Sequence, residues 1–117
     1  MKLTVLIENT ASVPALHSEH GLSVHIGYRG HSILLDAGSS GAFADNAAAL
    51  GVDLAGVELA VLSHGHYDHA DGLRRFFREN GRAPVYCRPT ADGEYFSTSK
   101  GASRFVGIHR ELLAEHA

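Results

Sequence analysis

Residues 63–73 read SHGHYDHADGL, which places His64, His66, Asp68 and His69 within six residues, directly after the apolar run VELAVL at 57–62. In an extended segment, residues two apart point to the same side with Cα atoms about 6.5 Å apart. His64 and His66 are therefore spaced to chelate one ion. A helix would put the pair on nearly opposite faces, so the spacing selects extended or looped backbone, and Gly65 between them permits a tight turn. Asp68 and His69 follow as a second, differently directed pair, one hard oxygen and one imidazole nitrogen. Two pairs suggest two metals. Ions about 3.5 to 4 Å apart can bridge a hydroxide, lower the pKa of its parent water and polarise a carbonyl or phosphoryl oxygen. The bland alternatives are a solvated histidine-rich loop or a single structural zinc site, and the density of the pattern favours the metal.

The elements that must position this cluster are legible around it. LTVLIE (3–8) reads as a strand. LSVHIGY (22–28) and HSILLDAG (31–38), joined by Arg29-Gly30, read as a hairpin. Ser40 is placed to cap a helix over AFADNAAAL (42–50), and Gly51 sits where a helix C-terminal glycine belongs. VELAVL has the near-continuous apolar character of a strand covered on both faces. DGLRRFFREN (71–80), closed by Gly81, reads as a helix and APVYCR (83–88) as a strand. The order strand, helix, strand, helix, strand predicts an α/β chain. The stretch 89–103, rich in Gly, Ser, Thr and Asp, predicts a loop, and HRELLAEHA (109–117) has helical spacing. Several strands look buried on two sides, yet only two or three helices are available to cover them. Something else must supply the missing cover.

Composition bounds the rest. A chain of 117 residues makes one domain, here 1–117, and 44% hydrophobic with 20% charged residues is an ordinary globular balance. The net charge of −3 offers no overall positive field for nucleic acid or an anionic membrane. The lone Cys87 can form no internal disulfide and suits a reducing cytoplasm. No export signal is evident, because Glu8 interrupts the first apolar run, and no window reaches the length of a membrane span. A soluble, cytoplasmic protein with a small-molecule substrate is expected.

HGHYDH resembles the His-x-His-x-Asp-His signature of the metallo-β-lactamase superfamily. EHGLS (19–23), ILLDAGSSG (33–41), LGVDL (50–54) and LSHGHYDHADGL (62–73) look, in that order, like its branch of dihydropterin-ribofuranosyl-aminobenzene phosphate synthase-like hydrolases, over about residues 1–110. The resemblance implies the N-terminal half of a four-layer αββα sandwich, with a mixed sheet, flanking helices and a dinuclear site between the halves. It implies that His64 and His66 bind the first metal and Asp68 and His69 the second. It implies zinc, with manganese or iron as alternatives, and a metal-bound hydroxide that Asp68, as the catalytic residue, holds and orients. Asp36 matches the family's buried aspartate that orients the metal loop. Asn9 and His20 match positions near the substrate. Ala70 and Asp71 stand where the branch more often has a small hydroxylated residue and a glycine, a departure on the substrate side. The family draws three further ligands from its second half: a histidine, a bridging aspartate and a final histidine. None can be assigned here, since His109 and His116 lie in the helix-like tail and His17, His20, His25 and His31 precede the signature.

The remaining features have plainer readings. DAGSSG lacks the lysine and the glycine spacing of a phosphate-binding loop and is a turn. Arg74, Arg75 and Arg78 are read as the wet face of a helix, His25 and His31 as sheet residues, and Cys87 as a small buried side chain. The functional expectation is a metal-dependent hydrolase acting on a small, phosphorylated or pterin-like substrate. Its rival is a catalytically incomplete remnant, or a fragment of a longer enzyme, that folds as a homodimer or against a complementary chain.

Overall fold

The computed structural model describes residues 1–11, 13–91, 93–97 and 103–107. One five-stranded sheet runs in the order β1 (Lys2–Ile7), β2 (Ser23–Tyr28), β3 (His31–Leu35), β4 (Leu59–Val61) and β5 (Val85–Tyr86). The first three strands are antiparallel neighbours, whereas β3, β4 and β5 run parallel. The predicted hairpin is present. Arg29 and Gly30 both take positive φ, 49° and 80°, as the tight turn between two twisted strands requires.

Parallel strands need crossovers, and helices provide them: α1 (Ala42–Ala49) between β3 and β4, then α2 (Tyr67–Ala70) and α3 (Leu73–Glu79) between β4 and β5. Gly51 closes α1 as expected, with φ 76° and the Val52 N–H donating to the Ala47 carbonyl at 2.8 Å. The other end differs from expectation. Gly41, not Ser40, is the N-cap, because the Ser40 hydroxyl is engaged with the Glu19 carboxylate at 2.6 Å and accepts from the Ala42 N–H at 3.2 Å.

The expected helix over 71–80 is divided. Gly72 passes so close to the β3–α1 turn that a Cβ there would lie 1.8 Å from the Ala37 carbonyl oxygen, and the chain bends between α2 and α3 at that point. Gly81 does not close α3. Asn80 does, in extended backbone, with its Nδ2 donating to the carbonyls of Leu54 and Val57 and its Oδ1 accepting from Arg82 and Ala83 N–H groups.

Leu34, Phe43, Ala47, Leu54, Ala60, Leu73 and Phe76 form the core between the sheet and the helices. The register fixes what the other face carries. Leu3 pairs with Ile26, Ile26 with Ile33 and Ile33 with Leu59; Val5 pairs with Val24, Val24 with Leu35, Leu35 with Val61 and Val61 with Tyr86. Paired residues share a face, so this is a continuous apolar surface opposite the helices. Leu3, Val5 and Tyr86 on it are 59%, 47% and 58% exposed. The expectation that VELAVL is covered on both faces is thus corrected. Among the described residues only its Ala60 side meets helices, and the strand is shortened to Leu59–Val61 because Val57 caps a 3-10 turn at Leu54–Gly56.

Cys87 is also corrected: it is exposed, because β5 spans only Val85–Tyr86 and is the last strand of the sheet among the described residues. The loop expected over 89–103 contains one strand of a small hairpin, β6 (Phe96–Ser97) paired with β7 (Arg104–Phe105). The helix-like tail at 109–117, with His109 and His116, lies outside the described residues. Among the described residues, no helix is long and apolar enough to cross a membrane.

Candidate metal centre

The histidine cluster lies at the C-terminal end of β4, the central one of the three parallel strands, and ligands of α/β proteins collect at such strand ends. Ser63 to His66 run through a bend, with His66 extended (φ −112°, ψ 146°) as the N-cap of α2, so the local backbone around His64 and His66 is non-helical as their spacing requires. Asp68 and His69 then ride on the single turn of α2, with Asp68 Oδ2 3.6 Å from His69 Nε2. The three imidazoles converge. The His64 ring centroid is 4.6 Å from that of His66 and 4.2 Å from that of His69.

Asp36 organises the group from below. It follows β3 in left-handed backbone (φ 56°), and its side chain is 1% exposed. Oδ1 accepts the Ser63 N–H at 2.7 Å, while Oδ2 accepts the Ser63 hydroxyl at 2.6 Å and meets His69 Nδ1 at 2.7 Å. The Ser63 hydroxyl, having donated to Asp36, accepts from His64 Nδ1 at 2.8 Å. This network assigns the Nδ1–H tautomer to both His64 and His69 and leaves each Nε2 with its lone pair free. Carboxylate-held imidazoles of this kind present a fixed, more basic nitrogen to a cation.

Charge follows the same geometry. The hydrogen bond that His69 Nδ1–H donates to Asp36 raises the His69 pKa above its ordinary value, whereas burial, reinforced by His69 and His66 alongside, pushes that of His64 below it. Asp36, His64 and His69 each offer one ligand atom within 4.8 Å of the others. His66 and Asp68 stand at the rim of that set, with Asp68 Oδ2 3.6 Å from His69 Nε2. Two imidazole nitrogens, a third ring alongside and a carboxylate form a mixed nitrogen and oxygen donor set that fits a divalent metal ion.

The other expected residues fall as follows. His20 Nε2 lies 3.1 Å from Asp68 Oδ2. Asn9 Oδ1 accepts the Gly21 N–H at 3.3 Å, and Asn9, His20, Asp68 and His69 line one open cleft of about 310 Å³. His25 pairs with Ser32 and His31 with Glu58 within the sheet, as ordinary sheet residues do. Arg75 is bound to Asp45 and Glu79, and so belongs to the helix surface. Ser63 was not singled out, although a hydroxyl directly before His64 was a local signal. Glu19, whose carboxylate accepts from the Ser39 and Ser40 N–H groups and ties EHGLS to the β3–α1 turn, offered none.

This architecture has known counterparts. The family model of the metallo-β-lactamase superfamily matches residues 19–108. The chain is 32% identical over 110 residues to the uncharacterized protein MJ0448 of Methanocaldococcus jannaschii, covering 94% of this chain and 41% of that protein. It superposes on the crystal structure of Tm1679, described as a metal-dependent hydrolase of the β-lactamase superfamily, with a TM-score of 0.76 and 31% identity over 97% of this chain and 39% of that one. A diphosphatase from the PhnP family is similar with a TM-score of 0.54 and 27% identity, over 76% of this chain and 42% of the other. The chain therefore spans about two-fifths of the length of the relatives it matches most fully. Because the family match includes both the Asp36 turn and the histidine loop that Asp36 holds, this chain belongs to the metallo-β-lactamase superfamily.

Proposed function

We propose that residues 1–117 form one domain that supplies the first ligand set of a metal-dependent hydrolase and acts on a small, phosphorylated substrate in the cytoplasm. The observation that carries this reading is the convergence of His64, His66 and His69 above a buried Asp36 that fixes two of the rings. His64 and His66 hold one ion, and Asp68 and His69 a second; zinc fits best, with manganese or iron next. Bound there, a divalent ion supplies a nucleophile from water at neutral pH and polarises the substrate oxygen. Asp68 is the catalytic residue of the chain. Its carboxylate, 3.1 Å from His20 Nε2 and lining the open cleft, would hold and orient the attacking water. Asn9 and His20 contact the substrate from the same cleft.

The phosphorylated substrate is supported by the resemblance to the dihydropterin-ribofuranosyl-aminobenzene phosphate synthase-like branch and by the likeness to a diphosphatase. The apolar sheet face supports a partner: a second copy of the chain, or a complementary chain, that covers it and completes the ligand set. The same face supports a second reading, in which the chain is an incomplete remnant that associates without turning over substrate.

Elemental analysis of purified protein after loading with zinc, manganese or iron, beside His66→Ala, tests the ligand set. Wild type is expected to retain metal through gel filtration and the variant to lose most of it. Equal content in both removes the assignment. The same samples separate the readings: a metal-bearing chain that light scattering shows to be associated supports the hydrolase, and a chain that takes up no metal supports the remnant.

A further inference from the structure

A second cavity, of about 230 Å³, shares no lining residue with the Asn9–His20 cleft, and His64, His66, Arg88, Thr90 and Tyr95 line it. Its outer wall is formed by Arg88, Thr90, Ala91 and Tyr95, after β5, and that wall is fastened to the histidine turn. Gly65 lies so close to Ala91 that a Cβ on it would meet the Ala91 carbonyl oxygen at 1.8 Å. The Tyr67 N–H donates to the Val106 carbonyl at 2.9 Å, and the Val106 N–H to the Tyr95 carbonyl at 2.8 Å. Within the wall, the Tyr95 hydroxyl donates to the Thr90 carbonyl at 2.6 Å, and its ring stands edge-on to His66 with centroids 5.6 Å apart.

The two cavities differ in charge. The Asn9–His20 cleft contains the carboxylates of Glu8 and Asp68, which repel an anion. Among the described residues, no acidic side chain lines the second cavity, and Arg88 supplies a positive charge there. Arg75 is committed to Asp45 and Glu79 on the helix layer, so it does not serve this site. An arginine and a threonine that line one cavity with two histidines suit a tetrahedral oxyanion, which a planar fork of N–H donors grips at two oxygens.

The geometry points to this cavity as the seat of the substrate's phosphoryl group, with Arg88 as its cationic partner and the Thr90 hydroxyl as a further donor. This rests on the hydrolase reading above and extends it. The phosphoryl group enters from the Arg88 side of His64 and His66, and the rest of the molecule extends toward solvent or toward the Asn9–His20 cleft.

Inorganic phosphate titrated calorimetrically into the full chain, both zinc-loaded and zinc-free, tests the assignment, with acetate as comparator and metal content measured in parallel. Arg88→Ala is expected to weaken phosphate binding at least tenfold in both forms, with metal content and thermal midpoint unchanged. Arg88→Lys is expected to be intermediate, and Arg78→Ala, at an exposed position of α3, indistinguishable from wild type. Equal phosphate affinity in wild type and Arg88→Ala overturns the proposal, as does acetate binding as tightly as phosphate or the absence of phosphate binding to wild type. If wild type takes up no metal, the hydrolase reading fails, while the zinc-free titration still reads Arg88.

Discussion

Asp36 holds a backbone conformation that a non-glycine residue adopts at a cost of about 1 kcal/mol or more, and three contacts to its carboxylate keep it there. That strain aims one carboxylate at both Ser63 and His69. The sign of its pH effect depends on metal. In metal-free protein the Asp36 hydrogen bond raises the His69 pKa above the unfolded value of about 6.5, so the unfolded chain binds fewer protons in that window. This stabilisation is complete below about pH 6.5 and is lost as pH rises through the raised folded value. With metal present the ion competes with the same proton, so metal-dependent stabilisation grows as pH rises. Asp36→Asn is expected to flatten the metal-free trend and to weaken metal binding by about 10- to 100-fold. Thermal melts between pH 5.5 and 8.5, with and without chelator, check both. An unaltered pH trend in the variant argues against the Asp36–His69 pairing.

The elements meet at joints where backbone touches backbone. At Gly72, between α2 and α3, the Ala37 and Ser40 carbonyls leave no room for a methyl group; around Gly81 there is nothing within 4 Å. Gly72→Ala is therefore expected to destabilise the chain by about 1–3 kcal/mol through overpacking. Gly81→Ala is expected to be neutral or to stabilise by about 0.4–1 kcal/mol, by restricting the unfolded chain. Urea midpoints at constant slope measure both, and a stable Gly72→Ala variant would mean that the β3–α1 turn and the α2–α3 joint are not in contact. Because Gly72 N–H also donates to the Gly38 carbonyl, this joint carries α2, and with it Asp68 and His69, toward the Asp36 turn.

Across the molecule, one sheet face is filled by helices and the other displays Leu3, Val5, Val24, Ile26, Ile33 and Leu35 side by side. An apolar expanse of this kind marks a surface that another layer covers. The wild-type chain is expected to associate in solution. Ile26→Lys, which places a charge mid-face and far from the histidines in the register, is expected to reduce the mass to that of one chain while leaving metal content unchanged. Light scattering across a dilution series reads this, and a wild-type monomer at high concentration contradicts it.

The spacing of His64, His66, Asp68 and His69, the hairpin at Arg29-Gly30, the Gly51 helix stop and the strand-helix alternation were all legible along the chain. Each depends on residues within a few positions of one another, where local sterics and side-chain period act directly. The Ser63–Asp36 link spans 27 positions, and the pairing of His66 with Tyr95 joins the metal turn to a segment whose composition suggested only a loop. The exposure of Cys87 and the one-sided cover of β4 likewise follow from strand order, since β5 is an edge and the helices share one face. Such contacts arise where hydrogen bonding and burial bring distant segments to one point, and no periodicity within a single segment encodes which segments those are.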